Sequence, residues 1–157
     1  MSLQVLDTGK KGLGIVALRD YFVGDQVVSY AGPRISYNSW PADASPDYAI
    51  QISEEQYLDP RTGHTIFLAN HSCHPNAGMV CDGSTFVLKA IRHIQPGDEV
   101  TWDYSTTMDD GTWTMKCLCG EPSCRKLVGD YKDLPHDVRA KYRQLGVVLN
   151  FLLRKYP

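Results

Sequence analysis

Apolar and polar positions alternate in short runs along the first two thirds of the chain. Each run has five or six residues rich in valine, isoleucine, leucine or aromatic side chains, and turn-forming glycine, proline and aspartate separate the runs. Alternation over such short stretches predicts β-strands. The predicted strands cover residues 14–18, 26–31, 48–52, 85–90 and 99–104. Many short strands joined by turns of this kind indicate a mainly β domain.

The pattern changes toward the C-terminus, where apolar residues recur at helical spacing between positions 135 and 156. They stand at Val138, Tyr142, Leu145, Val148 or Leu149, and Leu152. Asp133 and Pro135 form a helix start signal, and Gly146 leaves open a division into two helices. An apolar stripe of this kind usually packs on its own core. We therefore expect the segment to cover the sheets, with a partner-binding helix as the alternative.

Composition and charge are those of an ordinary soluble globular domain. The chain has 157 residues, of which 43% are hydrophobic and 22% charged, and its net charge is -2. This charge draws the chain toward neither nucleic acid nor an anionic membrane. The first residues do not resemble a signal peptide, and no apolar stretch approaches the ~20 residues of a spanning helix. We expect a soluble intracellular protein, cytoplasmic or nuclear if eukaryotic, without direct nucleic-acid or membrane contacts; the oligomeric state stays open.

Cysteine spacing predicts a metal site. Of the five cysteines, three crowd together as Cys117, Cys119 and Cys124 in the form C-x-C-x4-C. An odd number of cysteines without an export signal argues against a disulfide framework. Thiolates are soft ligands, and structural zinc takes four ligands in a tetrahedron. The fourth ligand stays open among Cys73, Cys81 and a histidine.

A dense polar block follows an apolar run in the middle of the chain. Residues 70–78 read N-H-S-C-H-P-N-A-G after the apolar 66–69. A buried block of this kind must satisfy its donors and acceptors. Taken alone, it fits an Asx-rich turn, a metal site built from His71, Cys73 and His74, or a ligand cradle.

Four segments, in this order, resemble the SET-domain protein lysine methyltransferases over roughly residues 8–130. Residues 11–14 (K-G-L-G) resemble the first cofactor loop of that family, and 70–76 match its N-H-S-C-x-P-N signature in full. Residues 97–104 (G-D-E-V-T-W-D-Y) resemble its G-E-E-L-T-x-D-Y segment. Residues 117–125 resemble the post-SET zinc motif C-x-C-x4-C-R. Chance co-occurrence of all four in order is very improbable.

The resemblance implies a fold and its subdivision. The expected fold is mainly β, a SET-type arrangement of short β-sheets (a β-clip) with a threaded pseudoknot that brings Tyr104 beside Asn70. A zinc-binding post-SET segment and a C-terminal helix follow. The expected boundaries are 1–110 for the SET domain, 111–130 for the post-SET zinc segment, after a loop at 108–113, and 131–157 for the helical extension.

The resemblance also assigns roles to individual residues. Tyr104 is the expected active-site tyrosine, Tyr30 and Tyr48 line the lysine channel, and Trp102 influences how many methyls are added. Structural zinc takes Cys73 as its fourth ligand, which leaves Cys81 an ordinary thiol. S-adenosylmethionine is the expected cofactor, and the residues assigned to it are Gly12, Leu13, Gly14, Asn70, His71, Tyr104, Trp113 and Leu118.

The implied function is S-adenosylmethionine-dependent methylation of a lysine in a protein or peptide, with histone tails among the candidates. Because Trp102 has no hydroxyl to hold a water, we expect more than one methyl per lysine. Ser29 and Pro33 stand where many relatives carry acidic residues, Lys126 replaces a frequent glycine, and no cysteine-rich pre-SET region precedes the domain. The alternative is a catalytically weak, zinc-stabilised peptide-binding module. A nucleic-acid-binding zinc protein fits the scattered basic residues poorly.

Overall fold

The computed structural model describes residues 2–157 and is built from five small β-sheets, with two α-helices near the C-terminus. The strands are β1 (Leu3–Asp7), β2 (Leu13–Ala17), β3 (Gln26–Tyr30), β4 (Arg34–Ser36), β5 (Ile50–Gln51), β6 (Gln56–Leu58), β7 (Asn70–His71), β8 (Ala77–Asp82), β9 (Thr85–Ala90), β10 (Thr101–Trp102), β11 (Met115–Lys116) and β12 (Leu127–Val128). The helices are α1 (His136–Gln144) and α2 (Asn150–Lys155). The prediction of a mainly β fold of short sheets is confirmed.

Two of the sheets are antiparallel and three-stranded, with strand orders β3-β9-β8 and β4-β6-β5. In the first sheet β9 occupies the centre, and its run Phe86, Val87 and Leu88 is buried throughout. A continuous apolar run suits a strand that is covered on both faces. The two-stranded sheets pair β1 with β2 and β11 with β12 in antiparallel fashion.

The remaining sheet is a short parallel pair between β7 and β10. Asn70 lies opposite Thr101, and His71 lies opposite Trp102. Parallel neighbours need a long connection between them, and here that connection contains the β8-β9 hairpin. This pairing is the contact that the predicted pseudoknot requires.

Two predicted strands prove shorter than expected because side chains cap tight turns within them. The strand predicted at 99–104 is reduced to β10, since Asp103 accepts a hydrogen bond from the Ser105 N–H and starts a 3₁₀ turn at Tyr104–Thr106. The strand predicted at 48–52 is reduced to β5. There Ser45 caps a 3₁₀ turn at Pro46–Tyr48, and the fixed φ of proline favours such a turn start.

The C-terminal segment forms two helices, the division that Gly146 left open. Gly146 has a φ of 67°, a left-handed conformation that ends α1 and redirects the chain. Leu145 is exposed, so the predicted stripe is wrong at this one position, whereas Tyr142, Val148 and Leu152 are buried.

One hydrophobic cluster connects the sheets with the C-terminal segment. Val147 packs against β8 so closely that a Cβ on Gly78 would lie 2.4 Å from its Cγ1. Tyr131, Phe151 and Leu152 belong to the same buried cluster as Ile15 of β2. Among residues 2–157 no helix has the length and apolar character needed to cross a membrane.

Candidate active site and metal centre

The β7–β10 pair joins two motif segments that lie far apart in the sequence. Immediately after β10, the backbone N–H of Tyr104 donates to Nδ1 of His71 at 3.2 Å. Burial lowers the pKa of His71 to about 4, so the imidazole is neutral. Since Nδ1 accepts this hydrogen bond, the ring proton belongs on Nε2, which lies 3.3 Å from Sγ of Cys73. Tyr104 therefore lies directly beside the 70–71 segment.

The Tyr104 side chain lies in an aromatic environment with its hydroxyl fixed. The hydroxyl donates to the Ala69 carbonyl at 2.9 Å. The ring centroid lies 4.9 Å from that of Trp102 and 5.4 Å from that of His71. Burial, reinforced by the negative charge of Glu99, raises the pKa of Tyr104 well above its ordinary value. The phenol stays protonated and cannot serve as a general base at neutral pH.

A narrow cavity of about 20 Å³ reaches Tyr104 from the surface. Its walls are mostly apolar and aromatic, and Tyr48, Trp102 and Trp113 are among them. Tyr48 is 44% exposed, which places it at the mouth, whereas Trp102 is 3% exposed at the inner end. Asp47, beside the mouth, is the charged residue among the described lining residues. The cavity is thus a narrow, mainly apolar cleft with open space for about one water molecule.

Tyr30, which was assigned to the same channel, lies elsewhere. Its hydroxyl contacts the carbonyls of Pro33 at 3.4 Å and Asp59 at 3.3 Å. Its ring packs edge-on against Phe67 at 5.3 Å. With 4% of its surface exposed, Tyr30 is a core residue behind the cavity wall. A tyrosine in a strand gives the same sequence signal whether it packs in the core or lines a channel.

On the other side of the β7–β10 pair, the Asn70 amide is held in place by several acceptors. Its Nδ2 donates to the Leu13 carbonyl at 3.0 Å and to Oε1 of Glu99 at 2.9 Å. Lys11 forms an ion pair with the same Glu99. A Cβ on Gly14 would lie 2.8 Å from Nδ2 of Asn70, so only glycine permits this approach. The structure thus brings the predicted cofactor loop against Asn70.

The fourth cysteine of the predicted zinc set joins the other three. The sulfur atoms of Cys73, Cys117, Cys119 and Cys124 all lie within 4.8 Å of one another. A tetrahedron of four sulfurs at about 2.3 Å from a central zinc has edges shorter than this distance. Cys81 lies outside the group, with an exposed thiol near the Gly83 carbonyl. The four-thiol set fits a structural zinc ion.

A buried network that the sequence did not reveal ties the cysteine segment to both β10 and α1. The carboxylate of Asp103 receives two hydrogen bonds from Arg125, at 2.7 and 2.8 Å, and one from the Tyr142 hydroxyl at 2.8 Å. The Asp103 side chain is fully buried, and the Arg125 side chain is 15% exposed. Such bidentate pairs are directional as well as strong. Asp103 therefore orients the residue that follows it, Tyr104.

The two remaining cofactor candidates differ in placement. Trp113 is half-buried and its ring centroid lies 6.4 Å from that of Tyr104. Leu118 lies between two of the cysteines and is 46% exposed. The structure therefore brings Trp113 to the candidate active site and leaves the side chain of Leu118 largely open to solvent.

Comparisons with known proteins identify the family. The SET domain model matches residues 12–105, more than half of the chain. The rice histone-lysine N-methyltransferase TRX1 is 33% identical over 135 residues, which cover 76% of this chain and 13% of the relative. The Arabidopsis histone H3-lysine(4) N-trimethyltransferase ATX1 is 32% identical over 139 residues, covering 78% and 13% respectively. The chain thus spans about an eighth of the length of these curated relatives.

Solved structures agree with this result. A crystal structure of KRYPTONITE in complex with mCHG DNA and SAH has a TM-score of 0.64 and 29% identity, covering 80% of this chain and 28% of that chain. The methyltransferase domain of human histone-lysine N-methyltransferase SETMAR has a TM-score of 0.62 and 26% identity, covering 82% and 58%. Fold, motif order and site geometry thus point the same way as the family match, and the chain belongs to the SET-domain family.

Proposed function

We propose that this chain is an S-adenosylmethionine-dependent protein lysine N-methyltransferase. The observation that carries the proposal is the position of the Tyr104 hydroxyl, at the inner end of a narrow aromatic cavity and next to the Asn70–His71 segment. The matched relatives include histone-lysine N-methyltransferases, and the KRYPTONITE structure holds SAH. These names support the same reaction here, with a histone tail or another lysine-bearing protein as substrate.

The residues around Asn70 suit the cofactor. Gly12 adopts a positive φ of 75° with open space where a side chain would lie, so the backbone there can approach a ligand closely, and Gly14 lets the loop pack directly against the Asn70 amide. Gly12, Leu13, Gly14, Asn70 and His71 would hold the cofactor, while Trp113 and Leu118 would cover it. When bound, S-adenosylmethionine would supply an electrophilic methyl, to which the lone pair of a neutral lysine amine bonds as the methyl–sulfur bond breaks and S-adenosylhomocysteine leaves.

The cavity would select the neutral, aligned form of the lysine. Free lysine has a pKa of about 10.4, and apolar walls disfavour its charged form. Asp47 at the mouth attracts the ammonium group, which then loses its proton to solvent before the amine reaches the inner end. Tyr104 stays protonated and donates to Ala69, so its oxygen lone pairs are free to accept from the amine or to contact the methyl. Alignment of this kind contributes on the order of 7–11 kcal/mol in well-positioned systems.

The zinc ion would fold the 111–130 segment against the site. Cys117, Cys119 and Cys124 come from that segment, whereas Cys73 comes from the loop after β7. A metal shared by both would couple zinc binding to the placement of Trp113 and Leu118. We assign the zinc a structural role because four thiols leave no open coordination position.

We further propose that the enzyme adds more than one methyl. The single donor of Trp102, its indole N–H, binds the Ala69 carbonyl at 3.2 Å, so the side chain has no group left to hold a water in the cavity. Mass spectrometry of a peptide driven to completion should detect di- or trimethyllysine, and Trp102→Tyr should shift the products toward monomethyllysine. Monomethyl product alone, unchanged in the variant, would contradict this role of Trp102.

The decisive experiment for the function combines cofactor binding with transfer. We expect saturable heat on titration of S-adenosylmethionine into the zinc-loaded protein, and label transfer from the cofactor to lysine on a peptide array that includes histone tails. Binding without transfer to any protein or peptide would favour the peptide-binding module instead. The absence of both cofactor binding and methyl transfer would contradict the methyltransferase assignment.

A further inference from the structure

A second cavity adjoins the narrow one, and it differs in size and chemistry. It measures about 400 Å³ and lies between the segment from Tyr37 to Ala49 and the segment from Met108 to Trp113. The two cavities share four lining residues, namely Pro46, Ala49, Met108 and Trp113. A single layer of side chains therefore separates the two cavities, so one bound peptide can place a side chain in each.

Aromatic residues line this second cavity and are held rigidly. The Trp40 indole donates to the Ala44 carbonyl at 2.9 Å, and its ring meets that of Tyr57 edge-on at 5.4 Å. Tyr37 forms the outer wall and is 59% exposed. Aromatic side chains with few rotatable bonds bury a large apolar partner at low entropic cost. The walls are thus preorganised for an apolar occupant.

Charge is nearly absent from the lining. Among the described residues that line the cavity, Asp110 is the single charged one. Its Oδ1 accepts from the backbone N–H groups of Thr112 at 2.8 Å and Trp113 at 2.7 Å. The carboxylate is therefore engaged in shaping its own loop, and the remaining surface offers aromatic rings, proline and alanine. An acidic side chain would lose hydration here without gaining a partner, and a basic one would find Asp110 alone.

We infer that this cavity, defined as the flanking pocket, binds a large apolar side chain of the substrate, one or two residues from the lysine that enters the narrow cavity. The inference rests on the proposed methyltransferase function and adds a substrate class to it, namely lysines with leucine, methionine, phenylalanine or tryptophan close by. Extended peptides place alternate side chains on one face about 6.6–6.8 Å apart. That spacing suits two cavities separated by a single layer of side chains.

The test uses a set of eleven-residue peptides, each with one central lysine and glycine, serine or alanine elsewhere. Leucine or phenylalanine replaces alanine at each position from three before to three after the lysine. We expect one position, within two residues of the lysine, at which the apolar residue raises kcat/KM by about 10- to 100-fold over alanine, as burial of one such side chain would. Fluorescence anisotropy measures binding of the same peptides without transfer.

Variants then locate the effect. Tyr37→Ala removes the outer wall and Ala42→Trp fills the flanking pocket, so each should reduce the leucine-to-alanine ratio toward one. Phe22→Ala is the matched control, since Phe22 is an equally exposed aromatic residue that stacks on His93 away from both cavities. It should leave the ratio and the activity unchanged.

The outcomes separate the two proposals. Methylation with no apolar preference, or a preference that survives both pocket variants, overturns the flanking pocket and leaves the methyltransferase function standing. Apolar-dependent binding that Tyr37→Ala abolishes, without methyl transfer to any peptide, supports the pocket and contradicts the function. A dimer in solution that Tyr37→Ala dissociates, with no peptide preference, means that a second copy fills the pocket and likewise overturns the inference.

Discussion

The two sides of the candidate site are built on different principles. On the side of Asn70, polar side chains hold one another in place. The Asn70 amide donates to Glu99 and to the Leu13 carbonyl, and Glu99 pairs with Lys11. Gly14 has no room for a side chain beside them. On the side of Tyr37 and Trp40, aromatic rings surround a cavity of about 400 Å³ with few polar contacts.

The difference explains which side can be recognised from the sequence. A hydrogen-bonded cradle tolerates few residue types, because each donor needs its acceptor at a set distance. An apolar wall accepts many side chains of similar volume. Residues 70–76 are therefore a recognisable motif, whereas in the segment 37–49 the family resemblance pointed to a role for Tyr48 alone. On the two proposals made above, the first region would position the reactants and the second would select the substrate.

The largest expected effect concerns the proposed zinc ion, which would tie the loop after β7 to the 111–130 segment. Cys73→Ser should reduce the zinc content from one per chain to nearly none and unfold the 111–130 segment, since zinc in small thiolate sites contributes on the order of 10 kcal/mol or more. Cys81→Ser is the control, because that thiol lies outside the four-sulfur group. Elemental analysis after dialysis measures the change. A full zinc content in Cys73→Ser would remove Cys73 from the ligand set.

The next effect concerns the buried network. Arg125→Met should leave the Asp103 carboxylate buried without its cation and lower the free energy of unfolding by about 3–5 kcal/mol. Tyr142→Phe removes one hydrogen bond to the same carboxylate and should cost about 1.5–3 kcal/mol. Urea unfolding of the zinc-loaded proteins compares them. Equal losses in both variants would mean that the ion pair is not the dominant contact.

A third prediction contrasts two tyrosines that the sequence placed in one channel. Tyr104→Phe should lower kcat by on the order of 100-fold, the usual cost of deleting one group at a reaction centre, with little change in thermal stability. Tyr30→Phe should retain activity close to that of the wild type, because its hydroxyl points to Pro33 and Asp59. Steady-state kinetics with the best substrate distinguishes them. Loss of activity in Tyr30→Phe with an intact fold would show that Tyr30 contributes to the lysine channel after all.

The smallest effect concerns the backbone of the zinc segment. Lys126, which stands where relatives often carry glycine, has a φ of 67°. A left-handed conformation costs a residue with a side chain about 1–2 kcal/mol, and the added freedom of glycine in the unfolded chain costs about 0.5–1 kcal/mol. Lys126→Gly should therefore stabilise the protein by about 0.5–1 kcal/mol in thermal unfolding. Lys116→Gly, in β11, should destabilise it instead.

Sequence patterns predicted those features of the fold that depend on residues close together in the chain. The strands at 26–31 and 85–90 and the break at Gly146 were legible because periodicity and turn residues act over a few positions. Cys73 as a partner of the distant triplet came from family resemblance and not from spacing. Asp103 lies 22 positions from Arg125 and 39 positions from Tyr142 along the chain, so no local sequence pattern predicts these contacts. Each of the three residues nevertheless stands within or beside a recognised segment.

The position of Asp103 also bears on the order in which the protein can mature on the ribosome. Synthesis proceeds from the N-terminus, so the Asp103 carboxylate emerges before either Arg125 or Tyr142. Burying an unpaired charge is costly, so pairing of β10 with β7 is disfavoured while the Asp103 carboxylate has no cation beside it. The Asp103 carboxylate therefore gains its countercharge only after the chain has been made past Arg125. A nascent chain arrested before that point would carry the first three SET motifs with the carboxylate beside Tyr104 still without its cation.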